Sequence, residues 1–111
     1  MGFCRGDIYL VNFNPAKGAE MGKLRPAIIM SQEEENEILA TVIVIPLSSI
    51  IEKDALPYRY TIQKRENLEK QSDACINEIR ALSKNRIKNK VASLKNSEIN
   101  IIQEAICKLL G

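Results

Sequence analysis

The segment ILATVIVIPLSS (38–49) constrains the fold more than any other part of the chain. Its β-branched residues are stiff at χ1 and suit a pleated surface better than a helix. They occupy both faces of the run without polar alternation, the pattern of a central strand covered on both sides. The run ends at Pro46 and a pair of serines, Ser48 and Ser49. A strand of this kind calls for flanking strands and packing elements in the rest of the chain.

Those elements can be read off the sequence. In RGDIYLVNFNP (5–15), Tyr9, Val11 and Phe13 alternate with Ile8, Leu10 and Asn12, predicting a first strand closed by a turn at Asn14-Pro15. RPAIIM (25–30) predicts a second strand, with Pro26 at its first residue, where no ladder donor is needed. The glutamates of SQEEENE (31–37) mark a loop, and YRYTIQ (58–63) alternates like a half-exposed strand. DACINEIRAL (73–82) is a further strand in which Ile76 and Ile79 share a face only across a bulge. In NSEINIIQEAICKLLG (96–111), Ile99, Ile102, Ile106 and Leu109 recur at helical spacing after Asn96 or Ser97 as N-cap. The expected architecture is mainly β with α: a small, largely antiparallel barrel or curved sheet closed by a C-terminal helix. At 111 residues the chain forms one domain, 1–111.

Composition narrows the function classes. The longest apolar stretch is far short of the roughly 20 residues of a membrane span, and MGFCRGD lacks an apolar signal core, so a cytoplasmic protein with no membrane association is expected. Cys4, Cys75 and Cys107 show no CxxC spacing and have no histidine to join them, which points to reduced thiols and no metal site. The net charge of +2 is small but unevenly spread: residues 79–97 contain no acid and carry Arg80, Lys84, Arg86, Lys88, Lys90 and Lys95. Such a run is either a solvated surface or a nucleic-acid patch. The chain has no histidine at all. Proton transfer at neutral pH must then use a tuned carboxylate, tyrosine, lysine or water, which excludes histidine triads and histidine nuclease pairs.

Polar groups gather where strands begin or end: Arg5, Gly6 and Asp7, then Glu20 and Arg25, then Ser48 and Ser49. Rigid strand ends are where sites are commonly built. Each group also has a plain structural reading, with Arg25 as a salt-bridge partner of Glu20, the serines as strand terminators and Gly18 and Gly22 as turn residues.

Taken together, RGDIYLVNFNPAKGAEMGKLRPAIIM, VIVIPLSS, ALP, NEIRALSKNRI and the C-terminal helix resemble the MazF/PemK family, the toxin halves of type II toxin–antitoxin pairs. The resemblance runs from about Arg5 to the C-terminus, and its most specific part is the combination G-D-x-Y, N-P, G-x-E and R-P. It implies an SH3-like barrel of the kind shared with the CcdB gyrase poisons. It also implies a sequence-specific, ribosome-independent endoribonuclease that cuts single-stranded mRNA without metal or cofactor, acts as a homodimer and is neutralised by a cognate antitoxin. The family's catalytic arginine falls on Arg25, its catalytic threonine on Ser48 and its loop glutamate on Glu20.

The residue types suit that chemistry. Attack by the RNA's own 2′-hydroxyl needs a base, stabilisation of the phosphate's added charge and a proton for the leaving oxygen. Arginine grips phosphate oxygens bidentately and stays charged. A serine hydroxyl can donate to the same phosphate, and losing such a donor typically costs about two to three orders of magnitude in rate. Glu20 either orients Arg25 or takes the proton. Single-stranded RNA would be read along a groove through Lys17, Lys23, Ser49, Lys53, Glu78, Arg80, Lys84 and Arg86. Two departures from the family pattern stand out. Ser48 lacks the threonine methyl, leaving open whether it or Ser49 points inward, and Glu78 replaces a common glutamine, unfavourable beside RNA unless Arg80 pairs it, so either the base preference differs or Glu78 faces away. A gyrase-poisoning toxin without catalysis and a noncatalytic RNA-binding barrel are the alternative readings.

Overall fold

The computed structural model describes residues 2–13 and 24–111. Along them run β1 (Asp7–Asn12), β2 (Leu24–Ile29), α1 (Glu33–Ile38), β3 (Thr41–Ser48), β4 (Arg59–Ile62), β5 (Ser72–Cys75), β6 (Arg80–Ser83), β7 (Ile87–Ser93) and α2 (Asn96–Leu110). All strand pairs are antiparallel, in the order β4-β5-β3-β2-β1-β7, with β6 also paired to β3.

The β-branched run is indeed the hub. Its first half pairs with β6 (Thr41↔Ser83 to Val44↔Arg80) and its last residues with β5 (Leu47↔Ala74, Ser48↔Asp73), while β2 lies on its other side. Alternate residues feed two separate cores. Ile8, Ile28, Ile45 and Leu47 face one, beneath α2, whereas Val11, Ala27, Ile29, Val42 and Val44 face the other, under Phe3, Tyr9 and Phe13. Both faces are covered, as a strand without polar alternation requires.

Four local expectations change. The acidic stretch 31–37 is helical from Glu33 on, because Glu33, Glu34 and Glu35 sit in the first turn, where the helix dipole favours carboxylates. Buried Asn36 ties that helix down by donating to the carbonyls of Phe3 and Ser31. The single strand expected over 73–82 is two strands, β5 and β6, separated by a 3-10 turn at Ile76–Glu78. That turn lets buried Ile76 and half-buried Ile79 reach the same core, the task a bulge was expected to perform. The basic run contains β7, whose period is hidden by Lys88 and Lys90 on an edge strand, a usual defence against further pairing. Pro26 lies inside β2 rather than at its start, but pairing with β3 begins only at Ala27, so no ladder donor is missed on that side.

Helix α2 is capped just before the expected Asn96 or Ser97: Lys95 is the N-cap, and the Glu98 carboxylate accepts its backbone N–H at 2.8 Å. Ile102 and Ala105 are buried, with Ile99, Ile106 and Leu109 packed around them. Gly6 makes room for this helix. It has φ +95°, and a Cβ there would stand 2.4 Å from Ile99 Cδ1. No helix among the described residues is long and apolar enough to cross a membrane.

Candidate active site

Arg25 is held half-buried in β2, opposite Val11 of β1. Ser48 is the last residue of β3 and is only 8% exposed, whereas Ser49 beside it is exposed. The Ser48 Oγ accepts the Ile50 N–H at 3.1 Å. A hydroxyl that accepts on one lone pair keeps its proton for another acceptor.

Arg25, Ser48 and Ser49 line one cleft of about 550 Å³. Its floor is apolar, from Leu10, Pro26, Leu47, Leu68 and Val91, and its far wall is polar, from Asn67, Glu69, Lys70 and Ser72. Sequence reasoning missed that wall, because residues 64–71 have no period and only Leu68 is buried. The available signal is local. Glu66 takes φ 49°, Arg65 and Leu68 bridge across it, and the Asn67 N–H donates to the Val91 carbonyl, so the segment is a fixed turn over β7.

Behind Ser48 lies a buried polar cluster that was also missed. Asp73, fully buried, accepts from Thr61 Oγ1 at 2.6 Å, from the Glu52 N–H at 2.7 Å and from Arg59 Nη1 at 3.3 Å. Next to it, burial pushes the Cys75 thiol up, with Arg59 and Arg25 pulling it down and Glu78 and Asp73 pushing it further up. Arg25, Arg59 and Glu78 therefore all act on one neighbourhood at the end of the sheet.

The other named residues are dispersed. Glu20, Lys17 and Lys23 lie outside the described residues. Lys53, Glu78, Arg80, Lys84 and Arg86 are not in the wall of the cleft. Lys53 and Glu78 are exposed. Arg80 does not pair with Glu78 but stands over the Phe13 ring, 4.7 Å from its centroid. Arg86 Nη1 donates to the Asn12 carbonyl at 3.1 Å. These two arginines thus grip the end of β1, from which the chain leaves toward residues 14–23. A second cavity, of about 450 Å³, lies among Arg5, Met30, Leu39, Ile43, Ile79 and Ile106 and, apart from Arg5, holds none of the named site residues.

Residues 4–110 match the family model described as PemK-like, MazF-like toxin of type II toxin-antitoxin system. The chain belongs to the PemK/MazF toxin family. A curated relative, Endoribonuclease MazF of Staphylococcus saprophyticus, is 35% identical over 108 residues, spanning 96% of this chain and 90% of the relative. The fold is that of solved MazF structures. A MazE-MazF complex from Deinococcus radiodurans superposes with TM-score 0.82 at 20% identity, covering 100% of this chain and 97% of that one. The Mycobacterium tuberculosis toxin MazF-mt6 gives TM-score 0.78 at 17% identity, covering 94% of this chain and 95% of that one. The seven-stranded antiparallel sheet with its C-terminal helix is therefore a MazF fold.

Proposed function

We propose that this MazF-family toxin is, like its staphylococcal relative, an endoribonuclease, and that it cuts single-stranded RNA at short recurring sequences by attack of the 2′-hydroxyl on the adjacent phosphate. The observation that carries this reading is the placement of Arg25 and Ser48, from neighbouring strands, in one cleft. Arg25 meets the phosphate's developing charge with its guanidinium fork. Ser48, its Oγ already accepting from Ile50, donates its proton to a phosphate oxygen. Glu20 orients Arg25 or serves as the base. With no histidine in the chain, rate comes from positioning and charge stabilisation, and the steps need no metal or cofactor.

RNA bases lie over the apolar floor of the cleft, between Ser49 and the polar wall at Asn67 and Lys70. Lys17, Lys23, Lys53, Arg80, Lys84 and Arg86, with Glu78 among them, also contact the RNA strand. The toxin works as a homodimer in the cytoplasm and is held inactive by an acidic antitoxin segment that orders on binding; a mycobacterial endoribonuclease of this fold has been solved in complex with its cognate antitoxin.

The test is cleavage of a long single-stranded RNA in excess EDTA, with the ends sequenced. Expected are recurring short sites bearing 2′,3′-cyclic phosphate and 5′-hydroxyl ends, and a loss of about a hundredfold or more for Arg25→Ala with the fold intact. Intact RNA together with inhibited gyrase supercoiling would replace this reading with a gyrase poison, and an active Arg25→Ala would remove the role assigned to Arg25.

A further inference from the structure

The catalytic reading uses Arg25 and Ser48 but leaves unexplained a fully buried carboxylate paired across the sheet with Ser48. Asp73 is the register partner of Ser48 across β3 and β5 and has no exposed surface. An apolar residue would fill that site at lower cost, because a buried carboxylate is tolerated only when its oxygens are well satisfied. The Asp73 oxygens are satisfied, and two of their partners lead to the segment that follows Ser48. Oδ2 accepts the Glu52 backbone N–H at 2.7 Å and Arg59 Nη1 at 3.3 Å, and the same Nη1 donates to the Ile50 carbonyl at 3.0 Å. Oδ1 accepts from Thr61 Oγ1 at 2.6 Å, which fixes the carboxylate's plane against β4. Ile50, held through its carbonyl, gives its N–H to the Ser48 Oγ at 3.1 Å.

The chain of contacts therefore runs from Asp73 through Arg59 to Ile50 and ends on the Ser48 hydroxyl. Residues 50–52 are exposed or only half-buried and have little packing of their own, with Ile50 itself 69% exposed. Apart from half-buried Ile51, these bonds are what hold the turn. We propose that Asp73 is a positioning residue that sets the direction of the Ser48 hydroxyl by anchoring the 50–52 turn, directly at Glu52 and through Arg59 at Ile50. This rests on the endoribonuclease reading for its catalytic consequence, while its structural half stands apart from it. Serine has greater rotamer freedom than a threonine would have in its place, so a device that fixes the hydroxyl from behind is of use here.

Two substitutions and two readouts test it. Asp73→Leu fills the space with no acceptor. Asp73→Asn keeps the shape and one carbonyl oxygen for the Glu52 N–H and Arg59, with its amide turned to Thr61. Amide hydrogen exchange at Ile50 and Glu52 is expected to quicken about tenfold or more in Asp73→Leu and less in Asp73→Asn, with β1, β2 and β3 unchanged. Cleavage of a short RNA carrying one mapped site should show kcat reduced about tenfold in Asp73→Leu and by less in Asp73→Asn, with KM within about twofold in both. In a Ser48→Ala background neither substitution should lower kcat further, because the hydroxyl they orient is gone. If Asp73→Leu fails to fold, the Asp73→Asn exchange and kcat values decide alone. Unchanged exchange at Ile50 and Glu52, or a kcat loss that persists in full with Ser48→Ala, would overturn the proposal. RNA left uncut by the unaltered protein would instead overturn the endoribonuclease reading, and the exchange data would still decide whether Asp73 holds the turn.

Discussion

Two adjacent serines illustrate what a single residue can and cannot declare. Ser48 and Ser49 are chemically the same, but Ser48 closes β3 and is buried whereas Ser49, just past the strand's end, is exposed. On the proposed mechanism, removing the Ser48 hydroxyl should slow RNA cleavage about a hundredfold, since it withdraws the donor assigned to the phosphate, whereas Ser49→Ala should stay within about threefold. A cleavage time course on the two alanine variants checks this, and a larger loss at Ser49 would reverse the assignment. Arg25 shows the same contrast in another form. Its identity and its place before a strand are legible in R-P, but its membership in one cleft with Ser48 depends on β2 and β3 being neighbours.

At the scale of the element, α2 is fastened to the sheet by more than its apolar stripe. Arg65 Nη1 and Nη2 meet both Glu98 oxygens at 2.6 and 2.8 Å, and Glu98 also caps the helix through the Lys95 N–H. Both side chains are mostly buried, at 17% and 14% exposure, so the pair is screened less than a surface bridge. Removing it with Glu98→Ala should cost about 1.5–3 kcal/mol, read as a lower urea midpoint. The Arg65 guanidinium holds the Glu98 carboxyl below the usual glutamate range, against a smaller opposing effect of burial. A depressed folded-state pKa gives stability that is complete above the unfolded value, about 4.3, and is lost as pH falls through the folded value. Thermal unfolding between neutral pH and pH about 3 should therefore show an acid decline that Glu98→Gln makes shallower. An equally steep decline in Glu98→Gln would assign it to other carboxylates. This clamp was not legible, because Arg65 and Glu98 are far apart in sequence and lie in segments with no shared pattern.

For the whole molecule, the most evident unfinished surface is apolar. Ile38, Leu39 and Ile43 are 81%, 50% and 42% exposed, and Leu39 and Ile43 border the cavity of about 450 Å³ that also touches α2. Exposed apolar side chains beside such a cavity suit an interaction surface. A second copy of the chain is the occupant consistent with the proposed homodimer, and the site cleft lies among different residues, with none shared between the two cavities. Sedimentation should give the mass of two chains, and Leu39→Glu should give one at the same concentration, because a carboxylate there would be buried unpaired in the interface. A dimer that survives Leu39→Glu would place the interface elsewhere.

The sequence by itself determined the central strand, the alternation of β1, the helical stripe of α2 and the absence of histidine chemistry, since each of these is a matter of local period or residue type. It also carried the family motifs. What only the tertiary structure decided is which polar groups meet. Ser48 faces Asp73 because β3 and β5 pair in that register, the turn at residues 65–68 walls the cleft because it crosses β7, and residues 73–82 break into two strands because Ile76 and Ile79 must reach one core. Register and crossing are set by burial summed over the whole sheet, so no local window of sequence contains them.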